Sequence, residues 1–259
     1  MIVVQISDLH VTAPGDLAYG RIDPTLLLRR AVEHLNSLSP QPDLIVATGD
    51  LTDKGSPKEY AELRAIIDEV RAPVYLCPGN HDDREALLTE FAHHEYLKSE
   101  SGFIQYTIEG FPVRLISLDS TTPGQDGGAL CEVRRSWLDT RLREAPTAPT
   151  ILYMHHPPFA TGIDAMDAIG LADSDEFSEL VAAHPNVLGI WCGHLHRPIT
   201  CRWAGTVVTT CPSTAHQVGL DLRSTAPLSF VMEQPGYQIH LFNNVGKDIE
   251  VVTHTAVIP

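Results

Sequence analysis

The sequence predicts an α/β fold built from parallel βαβ units. Three observations lead there. Short apolar runs of strand length alternate with segments whose apolar residues recur at helical spacing, several of these runs end in polar loops, and a hydrophobic content of 43% in 259 residues is ample for a large core. Layered α/β folds reach this length as one unit, so a single domain over residues 1–259 is expected, with a sheet-rich C-terminal part from about residue 199.

The elements follow in order. Ile2–Ile6 is an apolar run ending at Ser7-Asp8-Leu9-His10, and in an extended chain Asp8 and His10 point the same way and could meet one ion. Asp23-Pro24 reads as an N-cap with proline at the first helical position, followed by Leu27, Leu28, Ala31, Val32, Leu35 and Leu38 at helical spacing. Residues 43–48 repeat the strand pattern and deliver Gly49-Asp50 to a loop. Ser56-Pro57-Lys58-Glu59 is a capping box opening a helix through Val70, with Tyr60, Leu63, Ile66, Ile67 and Val70 on its apolar side. Residues 74–76 form a third strand that ends at Pro78-Gly79-Asn80-His81-Asp82-Asp83, where Asp82 and Asp83 start the next helix. Strand, helix, strand, helix, strand is the pattern of right-handed βαβ units, whose ligands collect at the carboxyl ends of the strands.

Residues 84–91 read as a short helix, and residues 103–108 and 113–118 as two strands joined at Glu109-Gly110. Glu132–Glu144 is a charged helix with Val133, Trp137, Leu138 and Leu142 as its apolar side. Thr150–Met154 is a buried strand ending in His155-His156-Pro157-Pro158. Residues 161–170 have no clean period and read as a loop, and Asp173 to Glu176 resembles a capping box for a helix to His184. Val187–Cys192 ends in Gly193-His194-Leu195-His196, whose imidazoles fall on one side of an extended chain. From residue 199 onward short strands follow one another, at 199–203, 206–210, 228–233, 237–242 and 248–253, around a polar loop bearing His216.

Composition narrows the function classes. With 33 acidic against 18 basic residues the formal charge is −15, which repels polyphosphate backbones and argues against extended nucleic acid as a partner. No apolar run approaches the roughly 20 residues needed to span a bilayer. Met1-Ile2-Val3-Val4-Gln5 lacks a signal-peptide pattern, so a cytoplasmic location is expected. Five cysteines without a CxxC pair read as buried, reduced thiols.

Five strand ends thus carry Asp8 and His10, Asp50, Asn80 and His81, His155 and His156, and His194 and His196. Surface turns are rich in Asp and Asn, and a lone His is usually a hydrogen-bonded structural residue. Five separate strand ends with ligand-type side chains, and no Lys or Arg among them, point instead to a shared metal site.

The motifs Asp8-x-His10, Gly49-Asp50, Gly79-Asn80-His81-Asp82, His155 and Gly193-His194-x-His196 together resemble the calcineurin-like binuclear metallophosphoesterases, in the expected order and across most of the chain. Tyr19-Gly20, the Pro78 to Asp83 stretch, Met154 to Pro158 and His216-Gln217-Val218 are similar to the branch of class III cyclic nucleotide phosphodiesterases and bacterial glycerophosphodiesterases. The resemblance implies a four-layer α-β-β-α sandwich of two mixed sheets flanked by helices. It implies that Asp8, His10, Asp50 and His196 hold one metal and Asp50, Asn80, His155 and His194 the second, with Asp50 as the bridge and a metal-bound hydroxide as the nucleophile. Mixed N and O ligation suits manganese, iron or zinc as the two divalent ions. Asp50, Asn80 and His81 are the catalytic candidates; His81, beside Asn80, is placed to protonate the leaving alkoxide. By resemblance His216 contacts the phosphate or leaving group, alongside His81 and Asn80. His156 reads as structural or as a support to the ligands.

Family members acting on phosphomonoesters commonly add an arginine after these motifs, whereas here Leu51-Thr52-Asp53-Lys54 follows Asp50 and Arg84 belongs to a helix. A monoanionic diester needs less positive charge, so small diesters such as 3′,5′-cyclic nucleotides or glycerophosphodiesters are the expected substrates, hydrolysed by a homo-oligomer. The alternatives are a phosphomonoesterase or nuclease of the same superfamily, or a non-catalytic scaffold of this fold.

Overall fold

A computed structural model describes residues 1–98, 101–246 and 248–259. In chain order the elements are β1 (Ile2–Ile6), α1 (Pro24–Ser37), β2 (Leu44–Thr48), α2 (Pro57–Ile67), β3 (Val74–Cys77), α3 (Arg84–Glu90), β4 (Tyr106–Ile108), β5 (Arg114–Leu118), α4 (Glu132–Glu144), β6 (Thr150–Met154), α5 (Asp164–Asp167) and α6 (Ser174–Ala182). They continue with β7 (Val187–Cys192), β8 (Thr200–Trp203), β9 (Thr206–Thr210), β10 (Gln217–Val218), β11 (Phe230–Val231), β12 (Gly236–Val245) and β13 (Asp248–Val257).

Two large mixed sheets result. The first runs β13-β12-β1-β2-β3 and the second β4-β5-β6-β7-β9-β8. β1, β2 and β3 are parallel, as the βαβ reading requires, and so are β5, β6, β7 and β9. β2, β5 and β6 are buried along their whole length because each is covered on both faces. On one side Leu28 and Leu35 of α1 and Tyr60 and Leu63 of α2 join β1 and β2 in a single core, each buried side chain contributing about 1.5–3 kcal/mol. On the other side Leu138 and Leu142 of α4 and Phe177 and Val181 of α6 pack on β5, β6 and β7.

Between the sheets the contact is partly polar. The Gln5 amide nitrogen donates to Thr48 Oγ1 at 2.9 Å and to the Cys192 carbonyl at 2.9 Å, bridging β1 of one sheet to β7 of the other. Its oxygen faces His240 Nε2 at 3.3 Å, and His240 stacks on Trp191 with ring centroids 3.7 Å apart. The four-layer arrangement expected from the sequence is therefore observed.

The helix starts follow the sequence signals where a side chain reaches the backbone. Asp23 accepts from Leu26 N–H, and Ser56 and Glu59 form a full capping box, a contribution of about 1 kcal/mol each. Several expectations are corrected. Asp173 makes no capping bond and instead pairs with Arg135 at 3.5 Å. Val133 is 59% exposed, and the buried position of that turn is Arg134, whose guanidinium donates to the Asp119 and Thr121 carbonyls and lies 4.5 Å over the Phe103 ring. Helix α2 ends at Ile67 rather than Val70. The predicted 103–108 strand keeps only its last three residues, and β11 keeps two residues of 228–233. β12 and β13 are longer than expected because ten residue pairs of one antiparallel ribbon support each other. The 161–170 segment is not wholly a loop, since α5 lies within it. All five cysteines are free, but Cys131 and Cys201 are only half-buried. Among the described residues no helix is long and apolar enough to cross a membrane.

Candidate metal centre

The carboxyl ends of β1, β2, β3, β6 and β7 meet at one place. Beyond the strands the pairing continues through the loops, Asp8 N–H donating to the Gly49 carbonyl at 3.0 Å and His10 N–H to the Asp50 carbonyl at 2.9 Å. Gly193 N–H donates to the His155 carbonyl, which ties the ends of β6 and β7 together. The loops approach so closely that two glycines are required. A Cβ on Gly79 would lie 2.2 Å from Asp50 N, and one on Gly193 2.1 Å from Ser7 Oγ.

Alternation along an extended chain does not explain how the ligand-type side chains converge. Asp8 (φ 52°), His10 (φ 46°), Asp50 (φ 48°), His194 (φ 68°) and His196 (φ 50°) all sit in the left-handed region. Asp and His tolerate that conformation better than most residues, and such strain, about 1–3 kcal/mol each, gathers at functional sites. The turn also separates His194 from His196, which face two different clusters rather than one.

In the first cluster His196 Nε2 lies 3.1 Å from His10 Nε2 and 3.4 Å from Asp8 Oδ1, while Asp50 Oδ2 is 3.6 Å from His10 Nε2. In the second, His155 Nε2 is 3.0 Å from Asn80 Oδ1 and 3.4 Å from Asp50 Oδ1, and His194 Nδ1 is 3.1 Å from Asn80 Oδ1 and 3.3 Å from His155 Nε2. Asp50 thus turns one oxygen to each cluster.

The backbone fixes which nitrogen each imidazole presents. A carbonyl only accepts, so the nitrogen facing it carries the hydrogen: His155 Nδ1 donates to Thr48, His196 Nδ1 to His216 and His194 Nε2 to Ile169, at 2.8, 2.8 and 3.0 Å. In each neutral ring the other nitrogen is a lone pair aimed at the cluster. Lone pairs of His155, His194 and the Asn80 oxygen then crowd one another, and Asp8 Oδ2 is buried without a hydrogen-bond partner. Such converging acceptors repel unless a cation lies among them. Asp8, His10, Asp50 and His196 lie close enough to share one. The donor sets fit divalent ions with mixed N and O ligation.

Electrostatics follow from this crowding. Burial pushes the Asp50 carboxyl up, but His155, His81 and His10 more than offset it and hold it well below the usual range. Burial opposes protonation of His155, yet the Asp50 carboxylate raises it to about 9, so its Nε2 carries a proton unless a cation beside Asp50 takes that proton's place. His194 is pushed well below its ordinary value, chiefly by burial and then by the neighbouring His156 and His155, which the Asp50 carboxylate only partly opposes. His196 and His216 are lowered to about 3, again mainly by burial.

His81 donates from Nδ1 to the Asp53 carbonyl at 2.7 Å, which leaves Nε2 facing Asp50 Oδ2 at 4.0 Å. Burial lowers its pKa, but Asp50 and the Asp53 carbonyl win and raise it. Asp82 does not start the helix. It accepts from Gly79, Leu51 and Thr52 N–H and from the Tyr60 hydroxyl, locking the loop that carries Asn80 and His81, while Asp83 caps α3 through Ala86 N–H. Arg84 is held by Asp119 at 2.6 Å. His156 uses both nitrogens, with Ser120 Oγ at 2.8 Å and the Asp126 carbonyl at 3.1 Å. His216 is fully buried with neither ring nitrogen partnered, its ring centroid 5.2 Å from that of His10 and 4.8 Å from that of His196.

A cavity of about 270 Å³ opens beside the clusters. It is lined by His10, Asp50, Asn80, His81, His194 and His196 and by the apolar side chains of Met166, Ile169, Val218, Leu228 and Phe230, with Tyr19 and Asp126 also lining it. Met166, Ile169, Asp53 and Asp126 were not singled out by sequence reasoning. Ile169 acts through its backbone carbonyl, which leaves no trace in residue type. Asp53, whose carboxylate is 3.7 Å from His10 Nδ1, was signalled only by its place three residues after Asp50.

The family model for calcineurin-like phosphoesterases matches residues 1–198. The chain belongs to the calcineurin-like phosphoesterase family. The family uses a dinuclear metal centre, and the chain carries clusters of His and Asp that could hold metal ions. The chain is 39% identical over its full length to a probable glycerophosphodiester phosphodiesterase, GpdQ, of Arcobacter nitrofigilis, covering 93% of that protein. It is 30% identical over 215 residues to the 3′,5′-cyclic adenosine monophosphate phosphodiesterase CpdA of Escherichia coli, covering 83% of this chain and 76% of that one. A dimetal phosphatase from Danio rerio has the same fold, with a TM-score of 0.67 at 15% identity over 100% of this chain and 99% of that one.

Proposed function

We propose that the chain is a metal-dependent phosphodiesterase acting on small diesters, with 3′,5′-cyclic nucleotides and glycerophosphodiesters as the two candidate classes. The observation that carries the reading is the single Asp50 carboxylate lying between two clusters of converging lone pairs. Asp8, His10, Asp50 and His196 would hold one ion, and Asp50, Asn80, His155 and His194 the second. Manganese, iron and zinc suit these donors. When bound, the ions supply Lewis acidity that activates water and offsets charge on the phosphoryl oxygens.

The protein's own groups divide the remaining work. The Thr48, His216 and Ile169 carbonyls hold three imidazoles in the tautomer that a cation requires. Asp53 holds Nδ1–H of His81, so in the charged ring Nε2–H is the proton offered to the leaving alkoxide. The Asp53 and Asp82 carboxylates, which are not proposed as metal ligands, favour that charged ring. His216 stays neutral and can donate one N–H to a phosphoryl oxygen.

A diester is favoured over a monoester by charge. Among the described residues lining the cavity there is no Lys or Arg, and Arg84 is committed to Asp119. The measurement is kcat/KM of Mn²⁺-loaded protein on bis(p-nitrophenyl) phosphate and on p-nitrophenyl phosphate. The diester is expected to be the better substrate; the reverse order sinks the reading.

A further inference from the structure

Tyr19 is a strained residue with no place in the metal clusters. Its φ is 50°, and among the described residues the other non-glycine positions with positive φ are five residues of the two clusters and Ala204. Ala204 stands with Gly205 between β8 and β9, an ordinary tight hairpin turn. Tyr19 and Gly20 also form such a turn, closed by Arg21 N–H on the Ala18 carbonyl, but this one leads its ring to the cavity. Asn, Asp or Gly are the residues that a turn with two positive φ values favours, so a tyrosine is a costly choice for the backbone alone.

The ring is accounted for by its contacts. It stacks on Phe230 with centroids 4.6 Å apart and planes 29° from parallel, and both rings present edges to His216, at 5.2 and 5.1 Å. Phe230 comes from β11, across from Val218 of β10, so two distant segments meet above the imidazole next to the first cluster. Tyr19 nevertheless stays 53% exposed, which leaves ring surface free beside the cavity. Val218, Leu228 and Ile169 continue the apolar wall. A wall of this kind offers a phosphoryl group little, but it fits an uncharged organic substituent with a planar or apolar face.

We propose that Tyr19 and Phe230 form a specificity wall that binds the organic group of a phosphodiester by ring contact, and so select diesters whose substituent carries a flat or apolar face without further negative charge. The inference rests on the reading of this cavity as the phosphodiester site, which the kinetic comparison above tests separately. Its own test is equilibrium binding to metal-loaded protein that carries His81→Ala throughout, so that the diester ligand is not turned over during the measurement. Diphenyl phosphate carries the organic groups, and inorganic phosphate carries none.

Tyr19→Asn keeps a residue that the turn accepts and removes the ring. It is expected to raise the Kd for diphenyl phosphate about tenfold while leaving that for inorganic phosphate within about twofold and the metal content unchanged. Tyr19→Phe keeps the ring and is expected to stay within about threefold of the His81→Ala parent for both ligands. Parallel weakening of both ligands by Tyr19→Asn would show a general support role and overturn the proposal. So would unchanged binding of diphenyl phosphate, or a loss with Tyr19→Phe as large as with Tyr19→Asn.

Discussion

Gly79→Ala isolates the close approach on which the bridge position depends. Gly79 has no positive φ, so alanine is tolerated by the backbone and the substitution acts through its methyl group alone. That methyl would lie 2.2 Å from Asp50 N and 2.3 Å from Asp50 Oδ1, where ordinary contact begins at 3.4 Å. Relief needs a displacement of roughly 1 Å between the loop carrying Asn80 and the carboxylate of Asp50, and misplacement of that size costs about 100-fold in rate. Overpacking of this kind costs about 1–3 kcal/mol in stability, which a domain held by about 5–15 kcal/mol survives. The expected result is a kcat/KM on bis(p-nitrophenyl) phosphate about 100-fold lower at saturating Mn²⁺, a weaker second metal by titration, and a circular dichroism melt still cooperative. Gly170→Ala, whose methyl would meet the Asp167 carbonyl oxygen at 3.4 Å, serves as the control and is expected to keep its activity. Wild-type activity in Gly79→Ala would refute the claim that loop spacing fixes the Asp50 bridge.

Two other expectations follow from single contacts. His81→Ala removes the proposed proton donor but no proposed ligand, so metal content should hold while kcat falls by about 10²–10⁴-fold on diesters with poor leaving groups and far less on p-nitrophenyl esters; equal losses on both would count against His81 as the acid. His240 is fully buried, and burial lowers its pKa to about 3, so it stays neutral in the fold while the unfolded chain gains a proton below about pH 6.5. The unfolded state then binds more protons, and this contribution to stability is lost as pH falls, by about 1.4 kcal/mol per pH unit between roughly pH 6 and 4. His240→Gln should remove that part of the slope in urea unfolding at pH 6 and 5, and parallel wild-type and variant slopes would contradict it.

The residue types at the strand ends were legible in the sequence because a βαβ chain must deliver its loops to one edge, and each apolar run named its own loop. Asp8, His10, Asp50, Asn80, His155, His194 and His196 were found in that way, as was the capping box of Ser56 and Glu59. The division of those residues into two clusters was implied by the family resemblance and could not be read from strand alternation. It depends on left-handed backbone at Asp8, His10, Asp50, His194 and His196, a property that strand alternation predicts wrongly. Nor could residue type show that the Thr48, His216 and Ile169 carbonyls orient three imidazoles, since every residue has a carbonyl and only packing decides where it points. Val133 was misjudged for a related reason: it is 59% exposed, and the position that turns inward is Arg134, which the Asp119 and Thr121 carbonyls and the Phe103 ring satisfy inside.

The sequence by itself therefore determined which ligand-type side chains stand at the ends of the buried strands, because each apolar run fixes where its strand stops. Tertiary structure alone decided which lone pairs face each other and which oxygen of Asp50 serves each cluster. It also decided that Tyr19 and Phe230, 211 positions apart in the chain, stand as one wall. Those outcomes depend on distances of a few tenths of an ångström between segments remote in sequence, set by the packing of two sheets against each other.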